Sequence, residues 1–134
     1  MKLLGLLQEG LASIPGVSIY GTMSLESRVP TMSVNLANYD AADVGAFLDV
    51  DHDILTRTGL HCAPLIHAHY GTSPRGTIRF SIGPFNTEEQ ILRAVQAVEK
   101  IQAQRPTDEV VPVSAAFEES KGKRPWDWDM RDGC

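Results

Sequence analysis

The sequence predicts an α+β fold, a small and largely antiparallel sheet covered by helices on one face. Two segments carry most of that expectation. Thr31 to Leu36 alternates strictly, with Met32, Val34 and Leu36 on one side and Thr31, Ser33 and Asn35 on the other. Thr77 to Ile82 does the same, with Ile78, Phe80 and Ile82 inward and Thr77, Arg79 and Ser81 outward. A period of two is that of a half-buried strand. Apolar stripes at helical spacing lie between and around them. The resulting order, helix-strand-strand-helix-strand-helix-strand-helix, suits a two-layer packing of helices on a sheet.

The first element is an amphipathic helix, with Leu3, Leu4, Leu7, Leu11 and Ile14 at three- and four-residue spacings. Gly5 and Gly10 weaken it by about 1 kcal/mol each relative to alanine, and Pro15-Gly16 ends it. Val17 to Tyr20 reads as a short strand, followed by a polar loop to Pro30 that carries Arg28. Asp40 is placed to cap the next helix, with Asp43 in its first turn and Ala41, Val44, Phe47 and Leu48 as its apolar stripe. Ile54 to Arg57 reads as extended, and Thr58 to Pro64 as a loop. Leu65 to Tyr70 forms a short helix closed by Gly71.

After the second alternating strand, Gly83-Pro84 breaks the chain. Asn86-Thr87-Glu88-Glu89-Gln90 then offers two overlapping capping boxes. The helix that follows places Ile91, Ala94, Val95, Val98 and Ile101 on one face, with Lys100 in its last turn. Beyond about residue 104 the pattern stops. Pro106, Pro112, Gly122 and Pro125 punctuate a mixed-charge tail containing Trp126 and Trp128. Two tryptophans so close together point to a tail that covers an apolar surface of this chain or a partner.

Composition narrows the function classes. With 134 residues and 43% hydrophobic content, the chain is long enough for one cored domain. A formal net charge of −5 argues against binding nucleic acid or anionic lipid, since both need clustered Lys and Arg. No apolar run approaches the roughly 18–20 residues of a membrane span. The leucine-rich start resembles a secretory signal, but Gln8 and Glu9 interrupt it too early. Two cysteines, Cys62 and Cys134, fit a reducing cytoplasm better than a disulfide scaffold.

Four features carry chemistry. Cys62 follows His61 in a Gly-containing loop, with Arg57 five residues before it. Nearby cations or a histidine favour the reactive thiolate, although a lone free cysteine is more often a small buried hydrophobe. Arg79 lies on the polar side of a strand, from which a guanidinium can present a rigid fork to a carboxylate. The ordinary alternative is a solvated or ion-paired surface arginine, and Arg75 reads as an exposed turn residue. His61, Cys62, His67 and His69 are zinc-ligand types, yet no second cluster completes a four-ligand set and the spacing matches no structural-zinc pattern. Cys134, the terminal residue, reads as an exposed, incidental thiol.

The run Arg57-Thr58-Gly59-Leu60-His61-Cys62-Ala63-Pro64-Leu65 resembles the active-cysteine loop of PLP-dependent cysteine desulfurases in the class V aminotransferase family. Gly76-Thr77-Ile78-Arg79-Phe80-Ser81, then Phe85-Asn86-Thr87-Glu88-Glu89, is similar to the strand and helix start that follow it there. Upstream, Ile14-Pro15-Gly16-Val17-Ser18-Ile19-Tyr20-Gly21 is similar to the beginning of that family's C-terminal small domain.

The resemblance covers about residues 3 to 103 in order. It implies a domain over residues 1–103, with the sheet and helices of the small domain of fold-type I PLP enzymes, and a tail over 104–134. It implies further that Cys62 accepts sulfur from PLP-bound cysteine as a persulfide, releasing alanine. In the same way Arg79 grips the substrate carboxylate, while Arg57 and His61 support the loop. His67 falls where relatives often carry histidine.

The family's cofactor is held by a lysine in a large domain. The lysines here are Lys2, Lys100, Lys121 and Lys123, none in a matching His-Lys context. The expectation is therefore a chain that binds no cofactor by itself, with PLP implied for the complete enzyme. Its expected partner is a PLP-binding large-domain chain or a homo-oligomer, its substrate L-cysteine, and its downstream contact a sulfur-acceptor protein. The alternative expectation is a non-enzymatic sulfur-acceptor or interaction module that works with a separate desulfurase through Cys62 or Cys134. An aminotransferase or lyase relative is a third reading, which a cysteine at position 62 disfavours.

Overall fold

The structure, a computed structural model, describes residues 1–26 and 28–105. Eight elements follow one another: α1 (Lys2–Ala12), β1 (Val17–Tyr20), β2 (Thr31–Leu36), α2 (Ala41–His52), β3 (Arg57–Gly59), α3 (Pro64–His69), β4 (Thr77–Ser81) and α4 (Glu88–Ala103). The strands form one sheet in the order β1-β2-β4-β3, and every pairing is antiparallel. This is the α+β arrangement that the alternating segments predict. The tail with Trp126, Trp128 and Cys134 lies outside the described residues.

One face of the sheet is apolar. Met32, Val34, Leu36, Ile78 and Phe80 are all buried there, facing Leu4, Leu7 and Leu11 of α1 and Val44 and Leu48 of α2. α1 and α2 contact the strands, and α4 packs against both helices with Ile91, Ala94, Val98 and Ile101. Residue by residue, β2 alternates half-buried and buried along its whole length, as its sequence period requires. Gly10 permits the close α1–α4 approach: a Cβ there would lie 2.6 Å from Cγ2 of Val95. The glycine that lowers helix propensity thus sits where only hydrogen fits.

Helix ends follow their sequence signals with one exception. At the start of α4 the Thr87 hydroxyl accepts from the Gln90 N–H (3.3 Å), while Gln90 Oε1 accepts from the Thr87 N–H (3.1 Å). Both halves of a capping box are therefore present. Asp40 holds the N-cap position of α2 but makes no side-chain cap bond; its carboxylate instead lies 3.7 Å from Nε of the exposed Arg75.

Three local expectations change. The paired strand is Arg57–Gly59 rather than Ile54 to Arg57, because Gly59 stands opposite Thr77 and the ladder is set by where β4 begins. Phe47 is 36% exposed and meets Tyr39 edge-on instead of joining the core. Thr77, read as outward, does lie on the second face but is only 2% exposed, with the His61 ring 3.3 Å from its hydroxyl.

Candidate functional site

The second face of the sheet is polar, and one row of cross-strand partners runs across all four strands: Tyr20, Ser33, Arg79 and Arg57. Side chains of directly opposed residues stand close together on the same face. Arg79 is thus in the middle of the face, flanked by a hydroxyl on β2 and by a second guanidinium on β3. Placing like charges opposite one another is unfavourable. Neither arginine makes an ion pair among the described residues, where the ion pairs use Lys2, Arg75 and Arg93. Arg79 Nε is buried without a hydrogen-bond partner among the described residues. Arg79 as a whole is half-buried and Arg57 is exposed.

Beyond β3 the chain makes a tight turn. The Ala63 N–H donates to the Leu60 carbonyl (2.8 Å), and the two central residues, His61 (φ 51°) and Cys62 (φ 60°), are both left-handed. A closing bond with positive φ at both central positions is the type I′ pattern, which Gly, Asn and Asp usually occupy. Side-chain-bearing residues pay roughly 1–2 kcal/mol each for that conformation, against a net return of about 1 kcal/mol for one hydrogen bond. Cys62 is free and exposed at this turn, in contrast to the buried hydrophobe that a lone cysteine more often is. Pro64 then opens α3 at its first turn, where a missing N–H costs nothing.

The turn is seated from below by glycine. A Cβ on Gly76 (φ +77°) would overlap the backbone of Gly59, so β3 and the start of β4 touch main chain to main chain. The Asn35 side chain donates to the Gly76 carbonyl (3.1 Å) and ties β2 to the same point. His61 Nε2 lies 3.3 Å from the Thr77 hydroxyl, and its ring is 5.7 Å from that of His67. His67 is buried, with Nδ1 2.7 Å from the Thr72 hydroxyl and its carbonyl accepting from the Thr72 N–H (2.9 Å). Tyr70, just after α3, meets Tyr20 edge-on at 5.9 Å and closes the β1 side of the face.

Electrostatics follow from this packing. Burial, reinforced by the charges of Arg79, His67 and Arg57 and opposed in part by a hydrogen bond to the Thr77 backbone, lowers the His61 imidazole pKa below its ordinary value. Burial raises the Tyr20 hydroxyl pKa, and the neighbouring Asn35 side chain opposes that rise. Chemically, the turn offers an exposed thiol next to an imidazole that resists protonation, and the face offers two guanidiniums without an ion-pair partner among the described residues. Among the described residues no group of three or more His, Cys, Asp or Glu converges as a metal site, and no helix is long and apolar enough to cross a membrane.

The structure therefore brings the His61 ring within electrostatic reach of Arg79 and Arg57, and Cys62 follows His61 as the exposed second residue of the turn. Sequence patterns place Thr77 and Asn35 on outward positions but give neither them nor Tyr20 a part in the site. Their signal was register: each lies on the polar side of a strand that crosses or adjoins the strand of Arg79.

Known proteins share this arrangement of sequence and fold. The family model for aminotransferase class V matches residues 1–94. A cysteine desulfurase of Salmonella agona is 38% identical over 93 residues, which are 69% of this chain and 21% of that protein. One from Salmonella typhimurium is 37% identical over the same length. Among solved structures, the apo cysteine desulfurase of Thermococcus onnurineus superposes with a TM-score of 0.71 at 30% identity, covering 77% of this chain and 25% of that one. The cysteine desulfurase CsdA of Escherichia coli gives 0.66 at 25% identity, covering 77% and 24%. The chain spans 21% of the length of the curated relatives it matches. It belongs to the class V aminotransferase family and corresponds to part of a cysteine desulfurase-like enzyme.

Proposed function

We propose that residues 1–103 act as the C-terminal small domain of a cysteine desulfurase, with the residues from 104 onward forming a separate tail. In this reading Cys62 accepts sulfur as a persulfide and Arg79 grips the carboxylate of L-cysteine. Arg57 adds positive charge beside Arg79, and His61 supports the Cys62 turn. One observation carries the proposal: Arg79, with its Nε buried and unpartnered among the described residues, stands directly opposite Arg57. Two adjacent guanidiniums without an anion are unfavourable alone and become favourable when a carboxylate is delivered, because charge-assisted bonds to a fork are strong.

PLP supplies the electron sink for this class of chemistry when bound. The described residues do not fit it. Lys2 pairs with Glu88 at the start of α4, and Lys100 sits in the last turn of α4, so both belong to the helical layer and not to the face of Arg79. The cofactor therefore belongs to a PLP-binding large domain outside the described residues, and the expected assembly is with such a domain or as a homo-oligomer. A sulfur-acceptor protein would receive the product, and the cytoplasm is the compartment that suits a free thiol.

The test is co-expression with a chain carrying the large domain of a desulfurase, followed by assay of alanine and persulfide formation from L-cysteine. Both chains are expected to be required, Cys62→Ser to abolish persulfide formation, and Arg79→Lys to raise KM for cysteine. Unchanged sulfur transfer in Cys62→Ser overturns the role given to that residue. The exposure of Cys62 also favours a second reading, an acceptor module that takes sulfur from a separate desulfurase. A gain of one sulfur atom on Cys62 by mass spectrometry, without association with a large domain, would select it.

A further inference from the structure

The Cys62 turn is strained at two consecutive residues, and its one closing hydrogen bond does not offset that strain. Something outside the turn must hold it. The adjacent contact comes from the sheet: His61 Nε2 lies 3.3 Å from the hydroxyl of Thr77, a β4 residue that is almost completely buried and stands opposite Gly59. The other ring nitrogen, Nδ1, is buried without a partner among the described residues. A proton placed there would be a buried unpaired donor, so it is assigned to Nε2, from which it donates to the Thr77 oxygen. The charged and titratable groups around the ring are Arg79 on β4, Arg57 on β3 and His67 on α3. The cations among them disfavour a second proton.

We infer that His61 is the positioning residue for the Cys62 thiol, acting through Thr77 to tether the strained turn to β4. The strand that carries Arg79 then also sets where Cys62 stands, since Thr77 and Arg79 are two residues apart on one rigid element. Thiol and guanidinium are thus referenced to the same strand, although one is on a turn and the other in the sheet. The value of this tether for sulfur transfer rests on the proposed role of Cys62; the tether itself does not.

The experiment uses the full chain and reads hydrogen exchange at the Ala63 amide by NMR, because that N–H closes the turn. His61→Ala and Thr77→Val are each expected to speed exchange at Ala63 about tenfold, the size of one lost hydrogen bond, with the amides of α1 and α4 unchanged. His61→Gln, whose Nε2 reaches the place of the imidazole Nε2, and Thr77→Ser are expected to restore slow exchange. A general loosening would be rescued by neither. Exchange at Ala63 that stays slow in His61→Ala and Thr77→Val, or that is as fast in His61→Gln as in His61→Ala, overturns the inference. Cys62→Ser separates the two proposals: it abolishes sulfur acceptance and leaves exchange at Ala63 slow.

Discussion

Replacing Gly76 with alanine tests the contact that seats the Cys62 turn. Its φ of +77° is left-handed, so any side chain pays roughly 1–2 kcal/mol there. The added Cβ would also overlap the carbonyl carbon and oxygen of Gly59. Those are backbone atoms held in the β3–β4 ladder, so no side chain can swing aside. Forcing the strands apart adds about 1–3 kcal/mol, the usual cost of overpacking, for a total of roughly 3 kcal/mol. Gly59→Ala is the matched control, since its φ is also positive (+104°) but its Cβ would meet nothing within 4 Å. It pays backbone strain alone, about 1–2 kcal/mol. With a urea m value near 1–3 kcal/mol per molar, the two variants should differ by roughly 1 M in unfolding midpoint, Gly76→Ala being the weaker. Equal midpoints at equal m would show that the strands do not touch where the structure puts them.

Two further outcomes follow from contacts already described. Thr87→Ala removes one half of the capping box on α4 and should cost about 1 kcal/mol in a denaturant titration, with Thr87→Ser retaining most of it. His61 gives a pH dependence whose sign is fixed by its lowered pKa in the folded state. The folded chain resists protonation there more than the unfolded chain does. Its contribution is therefore complete above the ordinary histidine value of about 6.5 and is lost as pH falls through the lower, folded value. Urea midpoints should fall on acidification across that window, and His61→Gln should flatten the fall. An unchanged slope in that variant would remove His61 as its cause.

The alternating strands and the stripe of α4 were legible because one-sided burial imposes its period directly on the sequence. Met32, Val34 and Leu36 need no knowledge of their partners to be read as inward. Thr77 broke the same rule because residues far away in the chain cover its outer side. Gly10 could be priced only as a weak helix former, since its packing against Val95 depends on where α4 arrives. β3 was misplaced for a related reason: a three-residue strand has no period of its own, and its limits come from β4. At the site, the residue types at 57, 61, 62 and 79 were visible. Their meeting was not, because it requires the register that puts Arg57 opposite Arg79 and folds His61 back over Thr77.

The shortness of β3 has a consequence for how the protein behaves in solution. A sheet edge is a row of open backbone groups that can recruit a strand from another molecule. Here that edge is three residues long, begins with a charged arginine and runs into a left-handed turn. It offers a foreign strand too few bonds to hold, and the chain leaves the plane before a longer ladder can form. The geometry that brings the thiol to the rim of the sheet also protects that rim from edge-to-edge aggregation.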